Sequence, residues 1–306
     1  MNKITEKLLE VITDWKGAFS GAFNIREDGE CVSRQSSPNV SIEPMAGGIG
    51  TEIHISSKAQ GETIYIPACV TKSDVNDLVY NDFYIGEGAD VIIVAGCGVH
   101  NDGEGEARHN GIHRFFVGKG AHVVYKEKHV GMGEGTGAKR IDPVTDITLE
   151  EDAVLEMDTT QISGVDSTVR STNANLKARA KLIITERLLT DGQETAKTDF
   201  VVNMNGEDSA VDLISRSVAK DQSHQEYRSI IRGNTRCTGH SECDGILVGN
   251  GTVSAAPELY AGHIDAALIH EAAIGKIAGE QILKLQTLGL TEEEAEQKII
   301  DGFLRA

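Results

Sequence analysis

Apolar and polar residues alternate with a period of two in short stretches that return along the middle of the chain. Segments 85–96, 117–128, 149–160, 176–187 and 206–215 superpose on Ala89, Ala121, Ala153, Ala180 and Ala210, at steps of 32, 32, 27 and 30 residues. Two positions after the first four alanines stand Val91, Val123, Leu155 and Leu182, and four after them stand Ile93, Tyr125, Met157 and Ile184. That is the period and the β-branched bias of a strand with one buried face. Asp212 breaks the alternation in the last repeat. A small residue followed by a strand, recurring every ~30 residues, is what stacked coils require, because each coil buries its inner face only against its neighbours. The expected fold class is mainly β, a β-solenoid or quasi β-helix. A β-sandwich supplies similar strands but gives less reason for an aligned small residue.

The two ends carry helical spacing instead. Ile4, Leu8, Val11, Ile12 and Trp15 predict a short amphipathic N-terminal helix. Ile274, Ile277, Ala278, Ile282 and Leu285 form a helical stripe, Gly289 supplies a stop, and Thr291 with Glu294 makes a capping box for a second helix. That second helix gathers Ala295, Ile299, Ile300 and Phe303 on one face. The expected division is a helix and lead-in over 1–40, a β-solenoid core over 41–265 and a C-terminal helical hairpin over 266–306.

Charge then removes one class of partner. Of 306 residues, 47 are acidic and 29 basic, a formal charge of −18, which repels nucleic-acid backbones and anionic bilayers alike. The 33 glycines against 5 prolines fit many tight turns and few stiff linkers. Charged residues interrupt the apolar ones over 1–16, and no apolar run of 18 residues occurs, so the expectation is a cytoplasmic protein without a membrane span. Five cysteines, an odd count, fit a reducing compartment better than a disulfide framework.

Familiar catalytic motifs are missing. There is no GxxxxGK[ST], so the chain has no Walker-type nucleotide site of its own. Gly131, Gly133, Gly135 and Gly137 make a glycine-rich run without the strand, helix and acidic residue of a dinucleotide fold, and are expected to form a plain flexible turn. Ile274 stands where a zinc protease needs the second histidine after His270-Glu271, and no CxxC occurs. Three constellations remain. Cys97, His100, His109 and His113 offer thiolate and imidazole donors at C-x2-H-x8-H-x3-H spacing, equally readable as a polar loop that contains histidines. Cys237, His240 and Cys243 lie within seven residues, where small buried thiols in a strand are the plainer reading. His270-Glu271 taken alone reads as a solvated pair.

Read together, these segments resemble the SufB/SufD family, the scaffold subunits of SUF iron–sulfur cluster assembly, in a short SufB-like form. HSECDGILVG (240–249), PEL (257–259) and IHEAAIGKIAGEQILKLQTLGLTEEEAEQKIIDGFL (269–304) look like that family's block, in which a Cys-Asp pair precedes a His-Glu-Ala strand end and a helix pair. AGCGVH (95–100), RHNGIHRFFVGKGAHVVY (108–125) and AKR (138–140) resemble its upstream coils more weakly. The resemblance implies a quasi β-helix with terminal helices. It also implies that Cys243, Glu271 and His270 sit at a transient iron–sulfur cluster site, that Cys97 accepts persulfide sulfur, and that His129 and Lys139 match tunnel residues. Cys237 joins the candidate ligands by proximity alone. The implied partners are a separate SufC-like ABC-type ATPase docked on the C-terminal helices, a sulfur donor and apo-protein recipients. Because one subunit offers few ligands, a homodimer is expected to complete the set. His100, His109, His113 and Arg108 are expected to lower the Cys97 thiol from its ordinary ~8.5. Two other classes compete with the scaffold: a metal-dependent β-solenoid or cupin-like enzyme using Cys97, His100, His109 and His113, and a structural adaptor of the ATPase.

Overall fold

In the computed structural model, which describes residues 1–162 and 164–305, the chain winds as a β-solenoid between two ten-stranded sheets. Asp90–His100 lies in the first sheet, Ala107–Val117 in the second and His122–Met132 back in the first. Strands one coil apart pair in parallel and in register, Asp90 with His122, His122 with Val154 and Val154 with Lys181. This register stacks Ala89, Ala121, Ala153 and Ala180 in a single buried file. The residue before each alanine, Gly88, Gly120, Asp152 and Arg179, has φ between 57° and 69°. The left-handed residue turns the chain sharply into the strand, and only a small side chain fits inside that corner.

The last repeat is offset by one residue from the alignment read in the sequence. Ala210 pairs with Lys181, so the corner position belongs to Ser209, fully buried and preceded by Asp208 at φ 60°. With that shift Val211 and Leu213 point inward and Asp212 points outward, and the alternation is unbroken. The file continues through Cys237 to Ala266 in the last coil.

The N-terminal helix α1, Lys3–Thr13, is capped by Asn2, whose side chain accepts from the Thr5 N–H at 2.9 Å. Leu8, Leu9 and Ile12 are its buried apolar residues, whereas Val11 faces solvent. It lies on the outer face of the first sheet directly behind Cys97. A Cβ on Gly96 would stand 2.7 Å from Ile12 Cβ, and one on Gly98 2.8 Å from Leu8 Cδ2, so glycine is what allows this approach. The glycine-rich run is not loose either, since Gly135 and Gly137 donate to the carbonyls of Asn101 and Gly103 at 3.0 Å.

Near the other end, the helical stripe expected from Ile274 is corrected. Ala266–Lys276 is a strand paired in register with Cys237–Leu247, and helix α2 is only Gly279–Gln286. Eleven residues that extend an existing parallel sheet gain a full ladder of hydrogen bonds, which outweighs an apolar spacing compatible with either element. Helix α3, Glu292–Arg305, has the expected capping box: Glu294 accepts from the Thr291 N–H at 2.8 Å, and Thr291 Oγ1 accepts from the Glu294 N–H at 3.2 Å. It buries Ala295, Ile300 and Leu304, with Ile300 and Leu304 packing against Val218. Among the described residues no helix is long and apolar enough to cross a membrane.

Candidate functional site

Six residues after each corner residue, at the same inward parity, stand Ala95, Glu127, Thr159, Glu186, Ser215 and Cys243 in one cross-strand file. Two residues further along the strands a second file begins Cys97, His129, Gln161. The solenoid core, apolar near its corners, is therefore polar along this line.

At the C-terminal end, Cys243 is 1% exposed and its thiol is pushed up to about 12 by burial, with Glu186 and Asp244 adding to the effect. Cys243 pairs with Ala272, and Ser241 with His270. Cys243 and His270 thus share the inward face, one diagonal step apart on neighbouring strands, and His270 Nδ1 has no hydrogen-bond partner among the described residues. The structure separates Glu271 from them. Being next to His270 in a strand, it points to the opposite face, where its carboxylate lies 3.9 Å from His240 Nε2. Cys237 is also separated: it fills the corner file between Ser209 and Ala266, six residues or ~20 Å along the strand from Cys243.

Cys97, also buried, lies in an earlier coil directly across from His129. Arg170 donates to His129 Nδ1 at 2.7 Å, so the ring proton sits on Nε2, which faces Glu127 at 3.3 Å. Glu127 also accepts from Tyr125 OH at 2.9 Å and lies 3.9 Å from His113 Nε2. Arg170 reaches on to Glu186 at 3.7 Å, and Glu186 accepts from Thr198 and Ser215, both at 3.1 Å. A cavity of about 20 Å³, lined in part by Glu127, Arg170 and Glu186, is just large enough for one water. A continuous polar line thus connects Cys97 to Cys243 across five strand spacings, ~24 Å.

The four-residue metal set is not assembled. His100 bonds Asp102 at 2.8 Å, His109 is held by Asp77 at 3.0 Å, and Arg108 pairs with Asp142 at 2.7 Å. The group that does converge is Cys97, Glu127 and His129, within 4.8 Å of one another. With Arg170 on one ring nitrogen of His129 and a proton on the other, that group is an ion-paired network with no free imidazole lone pair. The expected lowering of the Cys97 thiol is likewise reversed. Burial raises it strongly, Glu127 and Asp77 raise it further, and Arg170 is the opposing charge. Lys139, matched to a tunnel lysine, pairs with Asp166 at 3.5 Å.

These buried groups make the fold acid-sensitive. Burial, against the pull of Glu127, lowers His113 to about 4, while His129, His113 and Arg170 outweigh burial and hold the Glu127 carboxyl well below its usual range. Both groups bind fewer protons folded than unfolded, so their stabilisation is complete above pH ~6.5 and falls with acid. His113 acts between about 6.5 and 4, and Glu127 below ~4.5. The folded state is expected to lose up to about 3 kcal/mol through His113 alone between pH 7 and 4. Equal denaturant midpoints at pH 7 and pH 5 would contradict this.

The family model of the SUF system FeS cluster assembly SufBD core domain matches residues 77–303, which include Cys97, the polar line, Cys243, helix α2 and all but the last two residues of α3. The chain belongs to the SufBD family. An iron–sulfur cluster assembly SufBD family protein of Methanothermobacter thermautotrophicus strain Delta H is 29% identical over 266 residues, 84% of this chain and 63% of that protein. One from Archaeoglobus fulgidus is 29% identical over 248 residues, 80% of this chain and 66% of the relative. The Methanocaldococcus jannaschii protein MJ0034 is 27% identical over 240 residues, 77% and 74% respectively. The chain therefore spans just under two thirds of the length of the first of these relatives. SufBD membership supports a role in iron–sulfur cluster assembly. Arg170, Glu127, Glu186 and Glu242 went unnoticed in the sequence. Following each repeat to its sixth position would have found both buried glutamates, because a charge on the inward parity of a strand calls for a partner.

Proposed function

We propose that this chain is a scaffold on which iron–sulfur clusters are assembled and passed to apo-proteins, with the cluster held around Cys243 and His270. The observation that carries this reading is a buried thiol one diagonal step from an imidazole whose Nδ1 has no partner among the described residues, on the inward face of the last coils. Thiolate is the dominant soft donor for iron–sulfur clusters, and an imidazole beside it is a more exchangeable ligand, suited to cargo that must leave. Cys97 takes up persulfide sulfur, with His129 beside it, and the polar line toward Cys243 is the route between the two cysteines.

A homodimer formed through the last coils completes the ligand set with a second thiolate and imidazole. In its favour, that coil exposes Leu259, Tyr260 (56%) and Ile264 (95%), and its two strands are the open edges of both sheets. A SufC-like ABC-type ATPase supplies nucleotide-driven motion from outside, docking on α2 and α3. Helix α2 buries none of its residues and exposes Leu283, and Leu288 is exposed in the connection to α3. The proposed setting is the cytoplasm. Anaerobic reconstitution of the wild-type chain with ferrous iron and sulfide tests the reading. The expected product carries acid-labile sulfide and iron in similar amounts, with charge-transfer absorption. A product with no acid-labile sulfide and no charge-transfer absorption, whatever iron or zinc it holds, would overturn the scaffold reading.

A further inference from the structure

We infer a mononuclear divalent-cation site on the outer face of the first sheet, built from His240, Glu242 and Glu271 and distinct from the Cys243 thiol behind it. Glu242 and Glu271 are directly opposite each other on neighbouring parallel strands, and His240 lies two residues before Glu242 on the same face. One ligand atom from each lies within 4.8 Å of the others, close enough for small side-chain movements to bring all three onto one ion. The imidazole is already oriented. Asp212, one coil back, accepts from His240 Nδ1 at 2.8 Å, which leaves Nε2 with its lone pair facing Glu271. A carboxylate behind a histidine in this way fixes the ring and strengthens the other nitrogen as a ligand.

The local charge is compatible with a cation. Many neighbouring coils set opposite charges together on the outer surface, as in Arg114 with Asp82, Lys177 with Glu150 and Arg187 with Asp158, although Arg187 also faces Arg216 and Glu43 faces Glu52 in direct register. Glu242 and Glu271 are like charges in direct cross-strand register, an arrangement that disfavours the sheet unless the charge is offset. Asp212 adds a third negative charge, and the basic side chain paired with the group is Arg216, 3.7 Å from Glu242. A divalent cation cancels this excess. One imidazole with two carboxylates suits ferrous iron and its borderline relatives Mn²⁺, Co²⁺ and Zn²⁺, rather than Cu⁺, which prefers thiolate. Glu271 lies on the final strand of its sheet with its side chain 69% exposed, so the ion can enter from solvent and keep open coordination positions.

The site goes beyond the cluster reading and is measurable without sulfide. Co²⁺ titrated anaerobically into the metal-free full chain is expected to bind once per chain, giving weak d–d bands and no thiolate-to-metal charge transfer. His240→Ala and Glu242→Gln should each weaken binding by tenfold or more, and Asp212→Asn by about tenfold through the freed ring. Cys243→Ser should leave the titration unchanged. All four positions are on or beside one sheet, so matching far-UV circular dichroism and melting curves establish that the variants are folded. The assignment is overturned if Co²⁺ fails to bind the wild type, if the His240 and Glu242 variants bind as wild type does, or if binding shows thiolate charge transfer and disappears with Cys243→Ser. Cluster reconstitution on the same samples reports separately on the scaffold reading.

Discussion

Reconstituted anaerobically with ferrous iron and sulfide, the Cys243→Ser chain is expected to lose at least nine-tenths of the charge-transfer absorption of a bound cluster. Cys243 is the thiol at the inward position of the terminal turns, since Cys237 is ~20 Å along the strand and Cys97 ~24 Å back through the core. The protein holds the Cys243 thiol protonated, pushed up to about 12, and iron must displace that proton before the sulfur can bind. Serine is similar in size, so the strand and its register persist. Its oxygen is a harder donor and far more reluctant to ionise, which removes the soft contact without disturbing the fold. With sulfide supplied directly, Cys97→Ser should still build the cluster. A Cys243→Ser chain carrying a full complement of labile sulfide would remove Cys243 from the site.

Arg170→Ala is expected to cost the folded chain about 3–5 kcal/mol, read as a lower denaturant midpoint at pH 7. The guanidinium is 7% exposed and stands between Glu127 and Glu186, 4.0 and 3.7 Å away. Removing it leaves two carboxylates facing each other in an enclosed interior with too little compensating charge. Neutralising them removes the problem: Arg170→Met combined with Glu127→Gln and Glu186→Gln should recover most of the loss, because apolar and neutral replacements do not bring the desolvation penalty of an unpaired ion. If that triple variant is as unstable as Arg170→Ala, the arginine acts by packing and not by charge.

The repeat was legible in the sequence because the corner tolerates almost nothing larger than alanine, so the same residue recurs at Ala89, Ala121, Ala153 and Ala180. It was misread at Ala210 because serine and cysteine satisfy the same corner, and Ser209 and Cys237 are invisible to a search for alanine. Ile274 looked helical because short apolar runs fit either period, and only the hydrogen bonds to Cys237–Leu247 decide between them. The site was legible as a list of residues and not as an arrangement. His270 and Glu271 are adjacent in the chain, and a strand sends adjacent side chains to opposite faces, so a list cannot tell which of them meets Cys243. Arg170 was missed for a related reason: nothing in its neighbourhood of the sequence contains Glu127 or Glu186, and only the stacking of coils brings them together.

The in-register stacking has a metric consequence. Each turn of the solenoid advances the first sheet by one strand spacing, ~4.8 Å, and returns every side chain to the same azimuth. The interval between Cys97 and Cys243 is therefore quantised. Adding or deleting one whole turn between them changes the interval by a single increment and leaves both sulfurs aimed at the axis, whereas adding one residue within a strand turns one of them out to solvent. The backbone acts as a ruler graduated in turns, on which the span between two thiols can be reset without redesigning the surroundings of either.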